Sequence, residues 1–377
     1  MYVATPSYQA FTLEWQSSIA THHDCWFGQR PTGNAAKVSA TTFAAGELTS
    51  PNQTPPVVFP RQRFITQHRQ LTVEPHAGRF YPQAYAWEAL GCSRSEFRPF
   101  RLINLTANTL TADVNHPLAP YALRVSAAEH APIAPEIIKA LTETGAGMQA
   151  PYPGVSTDYY AVYPFTRADE RADAQFYTAP RFVNHLDTTA LTQVTALYKR
   201  LLRPGMQILD LMTSHVSHLP DTLVDVEITG LGMNPAELAA NPRLHRHVVH
   251  DLNQHPQLPF ADSTFDAIIC TVSVEYLTQP LEVMRDALRV TRSGGLVIVA
   301  FSTRWFPPKA TTLWTEMHPF ERQGLVLDFF VKSAKFTDLH TTSVRGLPRP
   351  SNDPHRRTTP FSDPVFAVWG TVMPKEF

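Results

Sequence analysis

Asp210 closes the short apolar run Gln207-Ile208-Leu209-Asp210-Leu211 and is followed at once by Met212-Thr213-Ser214-His215-Val216. An acidic residue at a strand's carboxyl end, opening into a turn, is how a doubly wound α/β sheet presents a crevice to a nucleotide-like ligand. The same placement recurs at Asp251-Leu252-Asn253, which follows the run 246–250, whereas Gly232-Met233-Asn234 follows the run 225–231 without an acid. Glycines in the first such turn normally let the backbone turn sharply and approach the ligand. Here Met212, Ser214 and Val216 stand in their places, so the crevice is expected with an altered entrance. Thr213, Ser214 and Ser217 offer hydroxyls that either hold a ligand or fill the space. Glu275 and Tyr276, just past the run 267–272, are placed to face a substrate, with packing an equal reading for Tyr276.

The elements that must position these residues follow from periodicity. Apolar residues at Leu191, Val194, Leu197, Tyr198 and Leu201 predict a helix over 188–202, capped by Asp187 and closed by Pro204-Gly205. Strands are predicted at 207–211, 225–231, 246–250, 267–272 and 296–301, with the clearest intervening helix over 281–290. Gly294-Gly295 reads as a helix C-terminus, and Asn234 reads first as a cap for the helix beginning near Pro235. Alternating helix and strand predict a mostly parallel sheet.

The first half differs. Residues 1 to about 50 are rich in Thr, Ala and Ser without a clear period. Short strands are predicted over 98–105, 109–114 and 121–125, then a helix from Pro135 to Thr144 and a Pro-, Tyr- and Gly-rich linker over 147–164. The expected domains are therefore a β-rich unit over 1–130, a linker and helix over 131–175, and an α/β unit over 176–377.

Composition bounds the function. Of 377 residues, 32 are basic and 33 acidic, and this balance lacks the electrostatic footprint of a nucleic-acid binder. Cys25, Cys92 and Cys270 form no paired motif, which argues against a disulfide framework or zinc knuckle. No signal peptide or membrane-spanning run is visible, so a cytoplasmic protein without membrane association is expected. His215 with His218, His245 with His247 and His250, and His22-His23 with Cys25 are closely spaced. None completes a recognised ligand set, and no metal site is expected.

Two stretches carry a resemblance: Asp251-Leu252-Asn253 leading to Leu258-Pro259-Phe260-Ala261-Asp262-Ser263-Thr264-Phe265-Asp266-Ala267-Ile268-Ile269, and Ala287-Leu288-Arg289-Val290-Thr291-Arg292-Ser293-Gly294-Gly295-Leu296-Val297-Ile298-Val299. In this order they resemble the seven-stranded, type 11 S-adenosylmethionine-dependent methyltransferases, from about Phe176 to the C-terminus. The resemblance implies a doubly wound seven-stranded sheet and S-adenosylmethionine as cofactor. It implies cofactor contacts at Asp210, Met212, Thr213, Ser214, Gly232, Met233, Asn234, Asp251, Leu252, Asn253 and Ser273, with Asp251 near the adenine. Gly232 stands where that family carries an acid for the ribose hydroxyls. No catalytic residue is read, because methyl transfer from an activated sulfonium depends mainly on positioning. Tyr177, Arg181 and His185, in the lead-in segment 176–187, are placed to lid the crevice or to pack and cap.

A second, shorter resemblance rests on Asn115-His116-Pro117-Leu118-Ala119, which is similar to a segment of SlyD-like FKBP-type peptidyl-prolyl isomerases. It implies a strand-turn-strand joint and a protein partner for the N-terminal unit. Three functions remain open: methyl transfer to an unidentified acceptor, a non-catalytic binding protein on the same fold, and a folding factor acting through the N-terminal unit.

Overall fold

The computed structural model describes residues 7–29, 40–49, 54–68, 71–128, 133–161 and 164–374. Near the N-terminus, β1 (Tyr8–Gln16) and β2 (Thr21–Gln29) form an antiparallel hairpin, and β3 (Ala40–Phe43) is short. A small antiparallel sheet follows from β4 (Val57–Pro60), β5 (Phe80–Pro82), β6 (Pro99–Leu105) and β7 (Thr109–Asp113), ordered β4-β7-β6-β5. Phe59, Phe64, Tyr81, Phe100, Leu102 and Leu110 give that sheet its own core. After it come β8 (Leu123–Ala127) and helix α1 (Pro135–Thr142).

The second half alternates as its sequence demands. α2 (Thr188–Leu201) is capped by Asp187, whose carboxylate accepts from Ala190 N at 3.0 Å, and it buries Ala190, Val194, Leu197 and Tyr198 against the sheet. The strands β9 (Gln207–Leu211), β10 (Glu227–Gly232), β11 (Arg246–Val249), β12 (Phe265–Thr271) and β13 (Thr291–Phe301) pair in parallel. Helices α3 (Pro235–Ala240) and α4 (Pro280–Val290) are crossovers, and α4 turns Val283, Met284, Ala287 and Val290 inward at helical spacing. The apolar helix α5 (Pro319–Lys332) precedes β14 (Phe336–Arg345) and β15 (Val365–Val372), which pair antiparallel.

Across the large sheet the order is β11-β10-β9-β12-β13-β15-β14-β2-β1-β8-β3. The chain runs outward from β9 through β10 to β11, then returns to β12 on the other side of β9. That reversal creates a crevice at the carboxyl ends of β9 and β12.

Several expectations change. The seven strands from 207 onward are joined by β2, β1, β8 and β3 into one 11-stranded sheet, so the expected boundary near residue 130 does not separate two sheets. Only residues 57–113 supply the small sheet. β2 docks parallel to β14, with His22 opposite Thr341 and Asp24 opposite Ser343. Both polar side chains are buried: His22 bonds the Thr341 and Ser17 hydroxyls at 2.8 and 2.9 Å, and Asp24 accepts from Ser343, Trp15 and Gln149. Polar residues satisfied inside the fold erased the alternation that would have announced β2. The segment read as a linker is partly core, with Met148, Ala150 and Tyr159 buried and a Cβ at Gly147 colliding with the Pro117 backbone. Gly294-Gly295 lies inside β13 rather than ending a helix. Gly294 has φ 75°, and the register slips between the Phe265–Thr291 and Ala267–Leu296 pairs, so the glycines form a bulge.

Candidate functional site

At the switch point, a cavity of about 310 Å³ opens among the ends of β9, β10, β11 and β12, within the size range of small-molecule sites. Every position that the sequence assigned to a cofactor lines it: Asp210, Met212, Thr213, Ser214, Gly232, Met233, Asn234, Asp251, Leu252, Asn253 and Ser273. Tyr177, Arg181 and His185 from the lead-in segment line it too.

Two residues at adjacent strand ends carry unusual backbone. Met212 has φ 58° and Val272 has φ 51°, the left-handed region that glycine occupies freely and a β-branched residue rarely enters. Met212 therefore keeps the turn conformation a glycine would have supplied, at a steric cost. Such strain collects where a site needs a particular geometry.

The hydroxyls of the altered turn are spent within the protein. Thr213 Oγ1 donates to Asp210 at 2.7 Å, Ser214 Oγ donates to Glu237 at 2.6 Å, and Ser273 Oγ donates to the Met212 carbonyl at 3.2 Å. Burial pushes the Asp210 carboxyl up to about 7 against the opposing hydrogen bonds of Ser217 and Thr213, so near neutral pH it is held between two protonation states. Burial likewise lowers His218, to about 4, and His185; both line the cavity as neutral imidazoles near neutral pH.

At the β10 end, a Cβ on Gly232 would overlap the Thr213 carbonyl oxygen and meet Leu238 Cδ2 at 3.1 Å. The bare glycine is thus imposed by the turn crossing above it. Asn234 caps α3 as expected, its Oδ1 accepting from Ala236 N and Glu237 N at 2.9 and 3.1 Å, while its Nδ2 donates to the carbonyls of Tyr177 and Thr178. Asp251 folds back on its own turn, accepting from Asn253 N, Gln254 N and Gln254 Nε2. Asn253 is a bracket: it donates to Asp173 and the Tyr276 carbonyl, and accepts from Thr278 N and Oγ1.

Glu275 does not face the cavity. It is 1% exposed, neither carboxylate oxygen has a hydrogen-bond partner, and burial pushes its pKa up to about 8. Tyr276 does line the cavity; its hydroxyl accepts from Phe306 N at 2.9 Å, and the two rings stack at 6.0 Å. Sequence reasoning missed Glu237, Arg304, Trp305 and Phe306, all on the cavity wall. For Glu237 a signal existed: Asn234-Pro235-Ala236-Glu237 has capping-box spacing. Its side chain instead accepts from Ser214 Oγ and Arg181 N. Among the described residues no group of three His, Cys, Asp or Glu side chains is arranged to hold a metal ion, and no helix is long and apolar enough to cross a membrane.

Comparison with known proteins places this geometry. Residues 212–299 match the family model described as a methyltransferase domain. The demethylmenaquinone methyltransferase of Renibacterium salmoninarum is 28% identical over 158 residues, covering 40% of this chain and 66% of that protein. The enzyme of the same name from Beutenbergia cavernae is 31% identical over 111 residues, covering 29% and 46%. The chain thus spans less than two thirds of the length of these curated relatives. Among solved structures, a SAM dependent methyltransferase from Aquifex aeolicus aligns over 53% of this chain and 97% of its own, at 14% identity and a TM-score of 0.34. The crevice at the switch point draws much of its wall from residues 212–299, the stretch that matches a methyltransferase domain, and the expected positions converge on it.

Proposed function

We propose that this protein transfers a methyl group from S-adenosylmethionine to a small acceptor that enters beside Tyr276, Phe306 and His185. The observation that carries this reading is the cavity itself: all the positions expected from the resemblance converge on it, although the glycine turn is lost. The residues present fit the cofactor. The buried Leu252 backs the cavity with an apolar surface, and carboxyl groups from β9 and α3 border it. When bound, the cofactor supplies an already activated methyl group on a sulfonium centre, so the chain has to bind, orient and exclude water. Asn253 ties the Asp251 turn to Asp173 and Tyr276, which fixes the adenine-side wall. The hydrogen bond between Phe306 N and the Tyr276 hydroxyl fixes the aromatic wall at the acceptor end.

Calorimetric titration with S-adenosylmethionine and S-adenosylhomocysteine tests the reading, and saturable binding of both is expected. The absence of heat at high ligand concentration, with the protein shown to be folded, would remove it. The acceptors named for the curated relatives, demethylmenaquinones, are the first to assay. A non-catalytic binding protein is the second reading, favoured by the turn hydroxyls and Asp251 being engaged internally; tight cofactor binding with no turnover across acceptor classes would establish it. A folding-factor role for residues 1–130 has the Asn115-His116-Pro117-Leu118-Ala119 segment as its support. Lack of proline isomerisation by the whole chain would end it.

A further inference from the structure

A cavity that receives a polyhydroxylated ligand must offer acceptors whose lone pairs are not already used. A carboxylate has about four such directions, two on each oxygen. Around this cavity most are taken. Asp251 accepts three donors from its own turn. Asn234 uses its carbonyl twice and its amide twice. Asp210 is 2% exposed and is held by the Thr213 hydroxyl. Gly232 has no side chain, and the Thr213 carbonyl leaves no room for one.

Glu237 is different. It rises from the first turn of α3 into the cavity wall, 9% exposed. Its Oε1 accepts from Arg181 N and its Oε2 from Ser214 Oγ, each at 2.6 Å. Both donors are neutral, and one lone pair on each oxygen stays open. Two short hydrogen bonds to separate elements fix the carboxylate, so it meets a ligand already oriented.

We propose that Glu237 recognises the vicinal 2′- and 3′-hydroxyls of the ligand's ribose, taking their hydrogens on its two oxygens from helix α3 where Gly232 carries no side chain. This rests on the cofactor reading above. It makes Glu237 a specificity-determining residue that separates ribose ligands from deoxy ones.

The test is a cycle of binding constants measured by calorimetry for S-adenosylhomocysteine and its 2′-deoxy analogue, on wild type and Glu237→Gln. In wild type, loss of the hydroxyl is expected to weaken binding roughly 10- to 100-fold, the range for a hydrogen bond to a charged group. In Glu237→Gln, S-adenosylhomocysteine is expected to weaken by a similar factor and the gap between the two ligands to close. An unchanged gap in a folded Glu237→Gln protein overturns the proposal. Should that variant fail to fold, Ser214→Ala, which removes one of the two hydrogen bonds that orient the carboxylate, is expected to narrow the gap, and an unchanged gap overturns the proposal. Wild type that binds both ligands equally overturns this assignment alone, whereas wild type that binds neither overturns the methyltransferase reading and this assignment with it.

Discussion

Gly232 separates motif reasoning from structural reasoning. By motif, restoring an acid there should improve a weakened cofactor site. By structure, Gly232→Asp should damage it. The smaller test is Gly232→Ala, because the backbone φ at Gly232 lies outside the left-handed region, which leaves the Cβ as the whole perturbation. That Cβ overlaps a backbone carbonyl, which cannot swing aside as a side chain end would. Overpacking of this kind costs about 1–3 kcal/mol. Narrowing of the unfolded ensemble returns about 0.4–1 kcal/mol. A net loss of about 1–2 kcal/mol is expected, a shift of about 0.5–1 M in the urea midpoint for a slope near 2 kcal/mol/M. Gly232→Asp adds a buried carboxylate with no partner, for roughly a further 1–3 kcal/mol, and should abolish S-adenosylhomocysteine binding by displacing the 212–214 turn. A Gly232→Ala protein with an unchanged midpoint, or a Gly232→Asp protein that is stable and binds more tightly, would refute the argument.

Glu275 should make stability depend on pH. Its folded pKa of about 8 lies above the 4.5 of the unfolded chain, so its contribution is complete below pH 4.5 and is lost as pH rises through 8, on the order of 3–5 kcal/mol across that window. Glu275→Gln is expected to flatten urea midpoints measured between pH 5 and 9 and to raise the alkaline ones; an unaltered slope would count against a buried, protonated Glu275. Val272→Asn, which tolerates a positive φ better than a β-branched residue, should stabilise by about 1 kcal/mol in the same assay, and a loss of stability would show that Val272 packing outweighs strain. Asp24→Ala removes the acceptor shared by Trp15, Gln149 and Ser343 and leaves the buried Arg345 without its opposing charge, so a loss of about 3–5 kcal/mol is expected. Hydrogen exchange should then rise along β2 and β14 first; uniform exchange would refute their local docking.

The sequence by itself determined the parallel core and the ring of residues at its carboxyl edge. Ile208-Leu209-Asp210-Leu211 and Ala267-Ile268-Ile269-Cys270 are apolar runs that a sheet covered on both faces requires, and such runs are legible because burial on both faces leaves only one solution. Helix α2 was legible for a similar reason, since a 3.6-residue apolar stripe with an Asp cap is a local signal. Tertiary structure decided the rest. β2 contains His22 and Asp24 at buried positions, and nothing local says that Thr341 and Ser343, more than 300 residues away, will satisfy them. The N-terminal hairpin therefore shows no clear period in the sequence, although it extends the central sheet. The altered turn was visible as missing glycines, but its consequence was not. Only the fold shows that Met212 still adopts the left-handed conformation, that the Thr213 carbonyl occupies the space above Gly232, and that Glu237 reaches the cavity from the next helix. Strand and helix formation depend on neighbours within a few residues, whereas the free lone pairs of a site depend on which distant donors have already claimed the others.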